Sequence, residues 1–315
     1  MNTLKSLSIL AAALLCAGAG PAQDKSIVVK PLYNPVAIVN GQEVQLDVPY
    51  VPTRYPIVEE MLKMAAVNKS DVVYDLGCGD GRIIITAAQR FGCRGVGFDL
   101  DPERIRECLE NAKKAGVTEK VKFVEGDLFQ ADFHEATVLP MYLLTTVNLK
   151  LRPKILRELQ PGSRVVSHNF AMDNWKADAH TELKVEDVTH DVFLWIVPAN
   201  VSGTWTWSAA PGTGAQGLEF RMDVTQKFQF PEAGVKIGGA DATVKSLKLS
   251  GDKISFVVEA PGKAIVLSFD GKAFNNNIVG TIQGRIDGRD VSLPWKASRN
   301  PASIKPIDDE PAWWN

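Results

Sequence analysis

Four cysteines in 315 residues are too few and too scattered to staple a fold. They stand at Cys16, Cys78, Cys93 and Cys108 with no C-x-x-C pair, which excludes a disulfide framework and a cysteine zinc site. Histidine is equally sparse: His134, His180 and His190 show no metal-ligand spacing, so no metal is expected and the three read as surface or loop residues. Charge of neither sign prevails, since 35 basic against 37 acidic residues leave a formal charge of −2 and no broad cationic face for nucleic acid. Long apolar runs are missing beyond the first fifteen residues, so no integral membrane span is expected.

That first run is a leader. Residues 1–22 carry a lone Lys5, an apolar stretch from Leu7 to Leu15 and small residues from Ala17 to Ala22, the plan of a secretory signal peptide. It predicts export to the periplasm or beyond. Leu15 fills the place where a lipid-attachment site has a small residue, so lipoprotein anchoring at Cys16 is not expected.

What the chain does have is a glycine turn set between a strand and a helix. Residues 72–82, V-V-Y-D-L-G-C-G-D-G-R, run from an apolar strand into Asp75, place glycines at 77, 79 and 81, and lead into Ile83, Ile84 and Ile85. Such a turn offers backbone N–H groups and a helix N-terminus to a ligand that approaches the main chain closely. The dinucleotide spacing G-x-G-x-x-G fails, because Arg82 stands where its third glycine belongs. The spacing D-x-G-x-G-x-G instead resembles the first motif of class I S-adenosylmethionine-dependent methyltransferases. Cys78 inside the turn reads as a small residue that fits rather than a reactive thiol.

The following residues repeat the strand–helix rhythm. A second strand, Gly95 to Phe98, ends at Asp99, where an acid about twenty residues past the first glycine accepts hydrogen bonds from a ribose. Asp101 reads as a helix N-cap before Pro102, with Ile105, Cys108, Leu109 and Ala112 on one helix face. A third strand, Val121 to Val124, leads to Asp127, whose carboxylate suits an adenine amino group while the next N–H, of Leu128, suits a ring nitrogen. Three strand ends thus converge on one nucleoside, as ligands of open α/β sheets require. Strands near 136–143 and 164–167, a helix near 153–159 with Pro153 in its first turn, and two edge strands through Val197 complete an α/β sandwich of seven strands.

After Pro198 the helical period disappears. Strict alternation at Leu218, Phe220, Met222 and Val224, and at Ile254, Phe256 and Val258, predicts a small all-β barrel or sandwich over 201–299, with Trp205 and Trp207 in its core. The predicted organisation is therefore a leader (1–22), a lead-in (23–47) with a hairpin turn at Asn40-Gly41, a Rossmann-like domain (48–200), the β domain and a tail (300–315).

From about Val48 to Val197 the chain resembles the seven-strand protein-lysine methyltransferases. P-Y-V-P-T at 49–53, the run from Val72, V-N-L-K-L-R-P-K from Val147, and L-R-E-L-Q-P-G-S-R-V-V-S-H-N-F from Leu156 with Trp175 beyond it carry the resemblance. It implies S-adenosylmethionine held at Asp75, Gly77, Cys78, Gly79 and Gly81, at Asp99 and Leu100, and at Asp127 and Leu128, with Tyr50 and Thr53 in a segment folded over it. The acceptor would be a lysine side chain of a protein; a small-molecule acceptor and donor binding without turnover are the alternatives. The ends of the fourth and fifth strands should line the acceptor side, which nominates Tyr142, Asn148, His168 and Asn169, with His168 as a candidate proton acceptor. Pro140-Met141-Tyr142-Leu143 replaces the motif that nucleobase methyltransferases use for planar amino groups, which argues against that chemistry.

Overall fold

The computed structural model describes residues 35–209 and 217–308. The leader, the chain to Asn34 and the Trp313-Trp314 end of the tail lie outside the described residues. A hairpin of β1 (Val36–Val39) and β2 (Gln42–Gln45) comes first, turned at Asn40 and Gly41, whose φ angles of 52° and 80° suit the twist of a two-residue turn.

The α/β domain follows as α1 (Tyr55–Met64), β3 (Val72–Leu76), α2 (Arg82–Phe91), β4 (Arg94–Asp99), α3 (Pro102–Ala115) and β5 (Val121–Glu125). It continues with β6 (Val138–Met141), α4 (Thr145–Glu158), β7 (Arg164–His168), β8 (Ala179–Val185) and β9 (Val188–Ile196). One seven-stranded sheet results, in the order β5-β4-β3-β6-β7-β9-β8, with β9 antiparallel to both neighbours. From β3 the chain builds the sheet outward through β4 to β5 and then returns to place β6 on the other side of β3, so a crevice opens at the carboxyl ends of β3, β4 and β6.

Two expectations need correction. α4 starts at Thr145, eight residues before Pro153, which therefore sits inside the helix. An interior proline costs a helix about 3 kcal/mol; burial of Val147, Leu151 and Ile155 against the sheet outweighs that preference. Leu109 is 54% exposed and off the buried face of α3, where only Cys108 and Ala112 are buried.

The β domain is a closed barrel of β10 (Gly203–Ser208), β11 (Glu219–Lys227), β12 (Phe230–Ile237), β13 (Ala240–Ser250), β14 (Lys253–Ala260), β15 (Ile265–Phe274), β16 (Asn277–Ile286) and β17 (Arg289–Arg299). Every strand pairs antiparallel with the next, and β10 pairs with β17 to remove both edges. Strict alternation puts Phe220, Met222, Phe256, Phe269 and Trp295 inside, along with Trp205 and Trp207. β12 and β13, which bury only Val235, Ile237 and Leu249, are strands that the alternation pattern did not single out.

The barrel is seated on the α/β domain by a plug. Phe228, at the β11–β12 turn, is fully buried in the core of the α/β domain and stacks on Trp175 at 5.7 Å. Gln229 accepts from the Trp175 indole at 3.0 Å and donates to the Lys176 carbonyl at 2.7 Å. The described part of the tail runs back to the same place: buried Arg152 on α4 pairs with Asp308.

Candidate active site

The glycine turn is stapled to the neighbouring strand. Gly77 and Cys78 N–H both donate to the Phe98 carbonyl, at 2.8 and 2.9 Å, and Gly79 N–H donates to Asp99 Oδ2 at 2.8 Å. The other oxygen of Asp99 accepts from Asp101 N–H at 3.0 Å. Asp99 therefore fixes two backbone segments, and it borders the crevice. Asp101 caps α3, accepting from Glu103 N–H at 2.8 Å, and also borders the crevice.

Above the turn lies the segment 49–53. Gly79 has φ 57°, and a Cβ there would stand 2.4 Å from the Tyr50 ring, so only bare backbone admits the tyrosine. The Arg104 guanidinium covers that ring at 4.7 Å from its centroid. Arg82 forks onto Asp80 at 2.9 and 2.6 Å and donates to the Thr53 carbonyl at 3.0 Å, tying the segment to the turn. Burial raises the Asp80 carboxyl, but the bonds and charge of Arg82 outweigh it and hold the group below its ordinary value.

Between turn and segment is a hollow of about 900 Å³, open mouth included. Of the predicted donor residues, Tyr50, Thr53, Asp75, Gly77, Cys78 and Gly79 line it, as do Asp99, Leu100, Asp127 and Leu128. Gly81 does not: as the residue before α2 it has φ 79°, and a Cβ there would strike Phe123 at 2.9 Å, so its glycine serves packing. Asp127 is exposed at the rim, with Oδ1 accepting from Phe129 N–H at 2.8 Å.

The electrostatics of the hollow are unbalanced. Asp75 is 3% exposed, and its pKa is raised to about 8, first by burial and then by the charges of Asp99 and Asp80. Burial also raises Asp99, with the N–H groups of Asp101 and Gly79 offsetting part of it. The Cys78 thiol is driven well up by its hydrogen bond to Cys108 and by burial, which leaves it unreactive.

On the acceptor side only Tyr142 of the four nominated residues lines the hollow. Its ring lies on His168 at 3.9 Å between centroids. Burial raises its hydroxyl pKa, and a hydrogen bond with the Asn169 side chain offsets part of that. Asn169, in the left-handed region at φ 61°, also accepts from Asp191 N–H at 2.9 Å. Asn148 is fully buried behind this layer; its amide donates to the Phe170 carbonyl at 3.0 Å and its Oδ1 has no partner among the described residues.

His168 needs a corrected role. It is 1% exposed, and its pKa is lowered to about 4 by burial and by His190, so it stays neutral and is a poor acceptor for an ammonium proton. His190, read from sequence as a surface or loop residue, is buried at 8% exposure and bonded to His168 at 2.9 Å. Asp80, Arg82 and Arg104 were missed altogether. The D-x-R spacing around Gly81 was the available signal for the first two, whereas Leu46 and Asp47 reach the hollow from a lead-in segment only through the tertiary fold.

Comparison with known proteins places this geometry. The family model for the ANTKMT methyltransferase domain matches residues 75–179, ending before the barrel. A protein-lysine N-methyltransferase of Saccharolobus islandicus is 50% identical over 153 residues, 48% of this chain and 94% of that protein. The chain belongs to the protein-lysine methyltransferase family. This methyltransferase is also 32% identical over 133 residues to the adenine nucleotide translocase lysine N-methyltransferase of Mus musculus, 42% of the chain and 57% of that protein. A solved structure described as an RNA methyltransferase from Salinibacter ruber, in complex with S-adenosyl-L-homocysteine, is 48% identical and covers 48% of this chain and 96% of that one, with a TM-score of 0.46.

The methyl donor is S-adenosylmethionine, and the hollow fits it. Buried Asp75 lacks a cationic partner among its described neighbours, as a site for an ammonium and a sulfonium requires. Gly77 and Gly79 border the hollow, and Leu100, Leu128 and Ile83 add apolar lining.

Proposed function

We propose that the protein transfers a methyl group from S-adenosylmethionine to the ε-amino group of a lysine in a protein acceptor. Half-identity to the archaeal protein-lysine enzyme over 94% of that enzyme's length carries the reading; the acceptor-side wall is consistent with it. The bound donor supplies an electrophilic methyl group, and the chain's residues position and dehydrate the partners.

Asp75 pairs with the positive end of the donor, Asp99 with its ribose and Asp127 with its adenine. Tyr50 and Thr53, held by Arg82, close over it. A lysine arrives as a cation of pKa about 10.4, so freeing its lone pair at pH 7 costs about 4–5 kcal/mol. A neutral wall lowers that cost by disfavouring the ammonium. Tyr142, backed by a His168 that does not protonate, forms such a wall, and the proton leaves to water. Asp75 and Asp99, by contrast, are spent on the donor.

The test is labelling of a cell-envelope extract by the purified protein with methyl-tritiated donor. Label should enter protein bands and disappear when extract lysines are acetylated beforehand. Label confined to a ribonuclease-sensitive fraction or to small molecules would replace the lysine reading, and donor binding without any transfer would end it. The leader further motivates an exported location, which fractionation of cells expressing the full chain decides.

A further inference from the structure

Behind Tyr142 a column of side chains runs from β9 to the segment over the hollow, and its far end, His190, does not line the hollow. His190 stands on β9 opposite Leu183 of β8, with Nδ1 2.9 Å from Nε2 of His168. The other nitrogen of His168 is 3.3 Å from Thr53 Oγ1, and one face of its ring carries Tyr142 at 3.9 Å and 29° between planes. Thr53 and Tyr142 both line the hollow. The remaining nitrogen of His190, Nε2, is buried with no hydrogen-bond partner among the described residues.

An unmet buried ring nitrogen costs stability that an apolar side chain would avoid. What a histidine contributes here is therefore confined to Nδ1. An imidazole in its neutral form carries one N–H, so which nitrogen of His190 holds the proton sets the direction of the whole column. With that proton on Nδ1, His190 donates to His168, His168 donates to Thr53 Oγ1, and the threonine hydroxyl proton is free to point elsewhere. With it on Nε2, every bond reverses and Thr53 donates to His168.

We propose that His190 is a positioning residue for methyl transfer, fixing through His168 the tautomer and ring plane on which Thr53 and Tyr142 depend. The proposal rests on the reading of the hollow as the donor site. It distinguishes three replacements of similar size. In His190→Asn the amide occupies the place of Nδ1, in His190→Gln it reaches toward Nε2, and His190→Leu has neither.

Three measurements on the full chain test it: S-adenosylmethionine affinity by calorimetry, the rate of tritium transfer to cell-envelope protein, and ¹⁵N shifts of the His168 ring. His190→Leu and His190→Gln should slow transfer by about 10- to 100-fold, the scale of a small misplacement of reacting groups. They should also change the His168 nitrogen shifts, while His190→Asn recovers the rate to within about threefold of wild type. Equal rates in the leucine and asparagine variants, or His168 shifts unmoved by leucine, would overturn it. Should the variants fail to fold, the wild-type spectrum suffices: a shared N–H between His190 Nδ1 and His168 Nε2 supports the column, and two independent, unpaired rings refute it. Wild-type protein that does not bind the donor takes the underlying reading down as well, whereas wild type that binds and transfers alongside indifferent variants removes this proposal alone.

Discussion

Inside the barrel, Phe269 stacks on Phe256 at 4.6 Å and meets Trp207 and Trp295 edge-on at 5.5 and 5.1 Å. Around the hollow of the α/β domain, the buried places also hold the polar Asp75, Asn148, His168 and His190. The barrel interior is closed and apolar, and its displaced pKa values belong to side chains outside the aromatic core, such as the Arg221–Asp223 pair. Around the hollow stand an acid raised to about 8 and a histidine lowered to about 4. One region maximises packing; the other gives up stability to hold polar groups ready for a ligand.

The largest effect that would sharpen this contrast is on stability. Phe269→Ala removes the centre of the aromatic cluster and should cost about 3–5 kcal/mol, read from urea unfolding, with donor affinity unchanged in the folded protein. A parallel loss of donor affinity would show that the two regions are not energetically separate. Next comes Asp99→Ala, which removes the proposed ribose partner and frees the N–H groups of Gly79 and Asp101. Two charge-assisted bonds at stake predict about a 100-fold weaker donor Kd, and a Kd within about twofold of wild type would take Asp99 out of the site.

The smallest effect is a proton count. With a pKa of about 8, Asp75 holds roughly 0.9 of a proton in the free protein at pH 7. Its folded pKa exceeds the unfolded value, so the folded state binds the extra proton between about pH 4 and 8; the stability this group contributes is lost as pH rises through that window. A cationic donor favours the carboxylate and expels the proton. Calorimetry in buffers of different ionisation heat should therefore show release approaching one proton at pH 6 to 7, with Kd tightening nearly tenfold per pH unit, while the donor's amino group stays charged. Donor binding that is indifferent to pH and exchanges no proton would show that Asp75 does not face the positive charge.

Local pattern alone sufficed for several features. The glycine turn, the acid at the end of β4, the cap at Asp101 and the inward alternation of the barrel strands all depend on residues a few positions apart, where backbone geometry and period-two burial leave little choice. Other features needed the folded chain. The start of α4 lies well before Pro153 because packing of Val147 and Leu151 overrides the proline, and no window of sequence contains the sheet they pack on. His190 is flanked by polar Thr189 and Asp191, which reads as surface, yet it is buried because β9 pairs between β7 and β8 and brings it against His168. Sequence by itself thus determined which strand-end residues line the hollow, since Asp75, Asp99 and Asp127 sit at recognisable spacing. Only tertiary structure decided which of them share a desolvated space, and with it which carboxyl keeps its proton and which histidine cannot take one, because desolvation and through-space charge depend on distances that chain order does not encode.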